Sequence, residues 1–394
     1  MRVLLITPEI PEEHGSSGGA IAAYAFVGAL APRHQVAVAA LSLGNPRAEE
    51  ALQKLQADSV EAHAIVAAWP ARRRVAPQWL LGRAPMRVVQ YRDARMQELV
   101  NRLAESRRFD VIHVLDTVMG AYDYPSGVSR LLAEQDADIP SPLPSWLGAR
   151  DQRRRSAEQR RVWQGFDLVQ VYSEHDAAIV RASAPELAPR VRVSPLAVAL
   201  PDLDVHQEEL PLTMVFVGQF MHPPNVDAAL WLANSILPLV RDAVPEVRLQ
   251  IVGAFPPPAV RDLAGDGVVV TGRVPDVRPY VEQATLVVAP VRSGGGVRLK
   301  VLQAMALGKA VVTTPLGAAG VVPDEYGDPA LVVASGARDF AAATATLLRD
   351  DSHRAELGRR ARTRVATDHS YASLAGRLER LYAELPPVPP ERET

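Results

Sequence analysis

Short apolar runs recur along the chain, each followed by a turn and then by a longer segment with apolar positions at helical spacing. Arg2 to Thr7 (RVLLIT) reads as a first strand, the loop PEIPEEHGSSGGA follows, and an alanine-rich helix covers about Ala20 to Leu30. Gln35 to Leu41 (QVAVAAL) completes a βαβ unit. Further strands are predicted at Asp110 to Val114, Asp167 to Tyr172 and Val191 to Ser194, with helices at Val89 to Arg107 and Ala149 to Gln164. From Leu200 to Leu212 (LPDLDVHQEELPL) prolines and acidic residues break the pattern, and a domain linker is expected there. Beyond it the alternation restarts. Strands are predicted at Met214 to Gly218, Val247 to Gly253, Gly267 to Gly272, Ala284 to Pro290, Ala310 to Thr314 and Ala330 to Val333. The intervening helices are Val226 to Val244, Val260 to Ala264, Val277 to Gln283 and Arg298 to Leu307. Such runs are apolar throughout, as in parallel strands buried on both faces.

Two consecutive alternating halves predict an α/β protein of two doubly wound, Rossmann-like parallel-sheet domains, and 394 residues is ample for two cores. The expected division is 1–205, 206–367 and a terminal piece 368–394, in which a helix over Tyr371 to Leu385 returns to the first domain before the proline-rich tail. Ligands of such sheets bind at the carboxyl ends of the strands, so the glycine turns of the two halves are expected on facing walls of a cleft. Gly18 and Gly19 open the first helix but do not follow the G-x-G-x-x-G spacing, which disfavours a nicotinamide cofactor.

Composition narrows the classes. Hydrophobic content of 48% with 22% charged residues is that of an ordinary globular protein, and a net charge of −2 gives no electrostatic footprint for nucleic acid. The absence of cysteine removes disulfides, a thiolate nucleophile and cysteine-ligated metal. The apolar start is too short for a signal-peptide core and no run is long enough to span a bilayer, so a cytoplasmic protein is expected. One arginine-loaded stretch (Arg150, Arg153, Arg154, Arg155, Arg160, Arg161, with Trp146 and Trp163) reads either as a salt-bridged solvent face or as a peripheral contact with anionic lipid at the inner face of the membrane.

Candidate chemistry concentrates between Pro290 and Pro315 (PVRSGGGVRLKVLQAMALGKAVVTTP). An apolar strand, then Gly294, Gly295 and Gly296, then Val297, Arg298 and Lys300 at a helix start make a phosphate site in outline. Glycines admit the ligand, backbone N–H groups face it, and the helix N-terminus and two cations oppose its charge. Lysine is rare here, occurring at Lys54, Lys300 and Lys309.

These residues resemble the retaining GT-B glycosyltransferases of the glycogen and sucrose synthase superfamily, the glycosyl transferases group 1. The similarity lies in Phe216-Val217-Gly218, His222 to Ala228, Ile251-Val252-Gly253, Val270-Thr271-Gly272 with Asp276 to Tyr280, and Gly294 to Thr314. In the first half it lies in Gly18-Gly19, Phe109 to His113, and Val171-Tyr172-Ser173 with Asp176. The resemblance implies transfer of a sugar from a UDP- or GDP-sugar to a glycan, glycolipid or small-molecule acceptor, with retention, and without a metal or other cofactor. It implies donor contacts from Gly18, Gly19, Gly218, Gln219, Asn225, Arg273, Val274, Gly294, Gly295, Gly296, Val297, Arg298, Lys300 and Gln303. Arg298 and Lys300 would neutralise the departing diphosphate, and a general base is sought among His113, Asp116, Glu134 and Asp136.

The chain departs from the family pattern in three places. Gln303 and Gly295 stand where many members carry two glutamates, and Gln219 with Pro223 and Pro224 where many carry arginine and lysine. These departures motivate alternatives: a non-catalytic relative that binds nucleotide or sugar as a partner, or a sugar-nucleotide epimerase or hydrolase. Structural roles compete at single residues. His113 lies in an apolar strand, Asp116 could cap the next turn, Ser173 could cap the helix bearing His175 and Asp176, and Asn225 stands at a natural N-cap. Asp202-Leu203-Asp204 has the spelling of a metal motif but falls in the linker.

Overall fold

The computed structural model describes residues 1–13, 17–135, 137, 145–202, 208–294, 298–321 and 330–387. The chain forms two units, Met1–Ser194 with Leu374–Thr394, and Pro195–Ser373.

The first unit is built on a seven-stranded sheet. Its strands are β1 (Arg2–Thr7), β2 (Gln35–Leu43), β3 (Glu61–Ala67), β4 (Val111–Leu115), β5 (Ser129–Ala133), β6 (Leu168–Val171) and β7 (Val191–Val193). Their order is β3-β2-β1-β4-β5-β6-β7, with every pairing parallel. β1 and β4 are central, which is why VLLIT and VIHVL carry no solvent-facing position. β3 and β5 do not stand out in the sequence, because Glu61 and His63 interrupt the first and Arg130 the second. Leu4, Ile6, Ile112 and Val114 pack with Met96, Leu99 and Leu103 of the helix Ala94–Ser106. That helix is shorter than the expected Val89–Arg107. The segment breaks after Tyr91 because the Asp93 carboxylate accepts from Arg95 N at 2.9 Å and caps a new start.

The chain returns to this unit within the helix Tyr371–Glu384, which buries Leu374, Leu378, Leu381 and Tyr382.

The second unit has six parallel strands: β8 (Leu210–Val217), β9 (Arg248–Val252), β10 (Val268–Gly272), β11 (Ala284–Ala289), β12 (Val311–Thr313) and β13 (Val332–Val333). Their order is β10-β9-β8-β11-β12-β13, and each coincides with a strand read from the sequence. The helix read as Val226–Val244 is interrupted. It runs as Pro223–Trp231, a π-helical turn at Leu232–Ile236, and Leu237–Ala243. Pro238 has no N–H to offer the carbonyl four residues back, and the ladder widens ahead of it.

Residues just after Ser194 already belong to the second unit, earlier than the expected boundary at 205. Val198 N donates to His369 O at 2.9 Å, and the buried His369 ring lies 2.8 Å from Leu196 O through Nδ1 and 2.9 Å from Val321 O through Nε2. Arg362 and Arg278 donate to the carbonyls of Pro201 and Asp202. Residues 203–207, where Leu203 and Asp204 of the apparent metal motif fall, lie outside the described residues.

Candidate functional site

Strand order reverses in the second unit between β8 and β11, so the loops that follow these two strands leave in opposite directions and open a crevice at their carboxyl ends. Gly218 and Gln219 follow β8, and Ser293 and Gly294 follow β11. The backbones come close here. A Cβ on Gly253, which ends β9 at φ +148°, would collide with Gly218 O, so only glycine serves at that position. Gly294 sits at φ +94°, with Pro224 Cγ 3.0 Å from where its Cβ would be.

Into this crevice the start of the helix Leu299–Ala306 brings two cations. Arg298 is only 7% exposed, and its Nη2 donates to Gly294 O at 2.6 Å and Ser293 O at 3.3 Å, which ties the glycine turn to the helix. Lys300 Nζ donates to Asn225 Oδ1 at 2.6 Å and lies 4.7 Å from the centre of the Phe216 ring. Asn225 Nδ2 donates in turn to Gln219 O at 2.7 Å. Asn225 therefore joins the loop after β8 to the lysine, and no side-chain cap bond forms at that helix start, where the N-cap position is His222. Burial first, and the positive charge of Arg298 second, pull Lys300 from the usual lysine range down to about 7. Lys300 has no carboxylate partner among the described residues. Gln303 is half-buried on the same helix, and its side-chain amide has no partner among the described residues. Gly295, Gly296 and Val297 lie outside the described residues.

Along the same carboxyl edge, Phe255 follows β9 and Arg273 follows β10. Phe255 has φ +59° and is 55% exposed, and the Arg273 guanidinium lies 5.8 Å from its ring centre, with Val274 half-buried beside it. An exposed aromatic held in a left-handed backbone conformation and faced by a cation is a stacking platform for a flat ring. Phe255 gave no periodic signal in the sequence, since it follows the strand as a lone aromatic. On the other side, Arg292 bonds Asp227 at 2.6 and 3.1 Å and covers Trp231 at 4.6 Å. That cation is used within the fold.

In the first unit the reversal falls between β1 and β4. Ser17 caps the helix Gly18–Leu30 by accepting from Ala20 N, and its hydroxyl donates to Glu9. The Glu9 carboxylate packs close on the helix start, where a Cβ on Gly19 would stand 2.9 Å from Glu9 Oε1. Burial pushes the Glu9 carboxyl up, against the Ser17 bond and the charge of Arg87. Asp116, 2% exposed and at φ +75°, accepts from Val118 N at 3.0 Å and from Arg87 Nη2 at 2.6 Å. Its capping role is thus realised and is combined with an ion pair. A non-glycine residue in this conformation at a strand end marks a site under local strain. Glu9 was inconspicuous among neighbouring acids, and Arg87 arrives from a helix, Met86–Tyr91, whose sequence carries no motif.

Two further base candidates, His113 and Glu134, are buried. His113 is fully buried, with Nδ1 2.9 Å from Tyr382 Oη and Phe26 against its edge, and burial drops it to about 3. The ring is held neutral in the core of the first unit. Glu134 is buried and accepts from Thr117 Oγ1 and from Trp163 Nε1 at 2.7 Å. Ser173 caps the helix Glu174–Ser183 through Asp176 N at 3.1 Å. Asp136 lies outside the described residues.

Residues 211–350 match the family model described as glycosyl transferases group 1. No curated protein matches by sequence. Among solved structures, the sucrose-phosphate synthase of Thermosynechococcus elongatus is similar at a TM-score of 0.69 and 17% identity, over 97% of this chain and 98% of that one. HepE of Anabaena, in complex with UDP and glucose, is similar at 0.69 and 13% identity, over 97% and 99%. The same protein in complex with UDP-glucose gives 0.64 and 14% identity, over 98% and 100%. At such identities the likeness establishes the GT-B fold, two Rossmann-like parallel-sheet domains, and the similarity to the glycosyl transferases group 1 model covers residues 211–350.

Proposed function

We propose that the protein transfers a glycosyl group from a nucleoside-diphosphate sugar, a UDP- or GDP-sugar, to a hydroxyl acceptor, with retention of configuration. The observation that carries this reading is Lys300: a lysine held in a desolvated crevice by an amide and an aromatic face, beside Arg298, with no carboxylate to neutralise it among the described residues. A site of that kind suits an incoming diphosphate, and HepE, of the same fold, holds UDP-glucose. The bond from the anomeric carbon to the β-phosphate oxygen breaks, the bond to the acceptor oxygen forms, and the acceptor proton passes to the departing diphosphate. Arg298, Lys300 and the helix N-terminus stabilise the charge that builds on that leaving group. Gln303 offers its amide to the ribose and Phe255 with Arg273 its face to the base.

The test is a donor screen in which release of UDP or GDP is followed with and without added acceptors, and the product anomer is read by NMR. Diphosphate release that Arg298→Ala abolishes supports transfer. Diphosphate binding without turnover of any donor would leave the protein a nucleotide-binding relative, and release of an epimerised sugar would make it an epimerase. A chelator is expected to leave the rate unchanged.

A further inference from the structure

The first unit carries a surface that neither its core nor its strand-end loops explain. The helix Arg72–Leu81 ends in Trp79, Leu80 and Leu81, and Leu81 is 90% exposed. The second half of the helix Ser145–Gln164 lies against the core, while its first half meets this end. Arg150 Nη2 donates to Leu80 O at 2.9 Å, Arg154 donates to Trp79 O, and both guanidiniums stack on the Trp79 ring at 5.6 and 5.4 Å. Trp79 is itself buried and donates its N–H to Asp151 at 2.7 Å. Trp146 falls one turn before Arg150 on the same helix face and is 66% exposed. Two helices thus hold Leu80, Leu81 and Trp146 out to solvent around a fixed pair of arginines.

The exposed charge around them is mainly basic, with Asp151 buried beneath it. Between residues 62 and 92 the chain carries Arg72, Arg73, Arg74, Arg83, Arg87 and Arg92 and no Asp or Glu, Arg87 being paired with Asp116. Arg150, Arg153 and Arg154 form no ion pair among the described residues, their bonds going to carbonyls and an aromatic ring where they bond at all. The sequence allowed a salt-bridged solvent face for this arginine stretch; Arg161 pairs with Glu158 at the far end of the helix, and Arg155 also has a partner.

We propose that this surface docks on an anionic phospholipid bilayer, with Leu80, Leu81 and Trp146 entering the headgroup boundary and the surrounding arginines on the lipid phosphates. An exposed leucine pair and a tryptophan supply apolar area at the interface, and arginines attract the surface charge and bond phosphate in pairs. An acidic protein partner would answer the charge but leave the leucines unexplained, and a second copy of the chain would set arginine against arginine.

The experiment is co-sedimentation of the full chain with vesicles of phosphatidylcholine alone and with about 30 mol% phosphatidylglycerol, at low and high salt. Binding is expected to the anionic vesicles only, and to weaken as salt rises. The double variant Leu80→Ser with Leu81→Ser should lower the bound fraction about tenfold, and so should Arg73→Gln with Arg74→Gln and Arg153→Gln. These side chains are exposed, so circular dichroism should be unchanged. Lipid carrying bromine on its acyl chains should quench wild-type tryptophan fluorescence more than that of Trp146→Phe. Absence of binding to anionic vesicles, binding that the leucine variant leaves intact, or self-association by sedimentation velocity that the leucine variant abolishes would each overturn the proposal.

Discussion

Lys300 concentrates the account at the scale of a residue. Its folded-state pKa, lowered from 10.5 to about 7, means that the unfolded chain binds more protons across that interval. Stability therefore rises with pH through this window, and the cost of the charged lysine is fully present below about pH 7. Lys300→Met should accordingly stabilise the protein more at about pH 6 than at about pH 9, as read by thermal unfolding. A diphosphate favours the charged form, so binding near pH 8 should take up protons, which calorimetry in buffers of different ionisation heat will detect. His113 gives the opposite case. Tyr382→Phe leaves its Nδ1 without the 2.9 Å partner and should cost about 1–3 kcal/mol of stability while the folded fraction keeps its activity. Loss of activity at unchanged stability would return His113 to the chemistry. That ring shows a limit of reading residues singly: a histidine in an apolar strand was visible in the sequence, but its partner stands 269 positions away.

Among elements, what was legible is what depends on local pattern. All six strands of the second unit were readable, because each is an apolar run bounded by glycine or proline. β3 and β5 were not, since their identity comes from neighbours in the sheet rather than from their own alternation. The neighbourhood of the glycine turn and the two cations was legible from spacing, whereas the bridge from Lys300 through Asn225 to Gln219 is a tertiary contact that spacing does not encode. Gly253 ties element to site, because the ends of β8 and β9 approach so closely that a methyl group there meets Gly218 O. Gly253→Ala should destabilise by more than about 4 kcal/mol, in the range of severe core substitutions, and its denaturant midpoint is the measurement. A mild effect would mean that the strand ends can separate without cost.

At the scale of the whole molecule, each unit has a hydrophobic core of its own among the described residues, and the terminal helix buries Leu374, Leu378, Leu381 and Tyr382 in the first. Each core is large enough to unfold on its own. Differential scanning calorimetry should resolve two transitions, and a nucleoside diphosphate should raise the one that belongs to residues 195–373, because a ligand stabilises the fold that binds it. Removal of the chain after Ser373 should lower the other, since Leu374, Leu378, Leu381 and Tyr382 leave its core. The central claim remains that the β8–β11 crevice of the second unit is a diphosphate site. Isothermal titration of UDP and GDP into the wild-type protein and into Lys300→Ala tests it most directly. The account predicts saturable binding of one of them to the wild type and at least about a tenfold loss in the variant, equivalent to about 1.4 kcal/mol. Equal binding by both proteins, at equal stability, would contradict it.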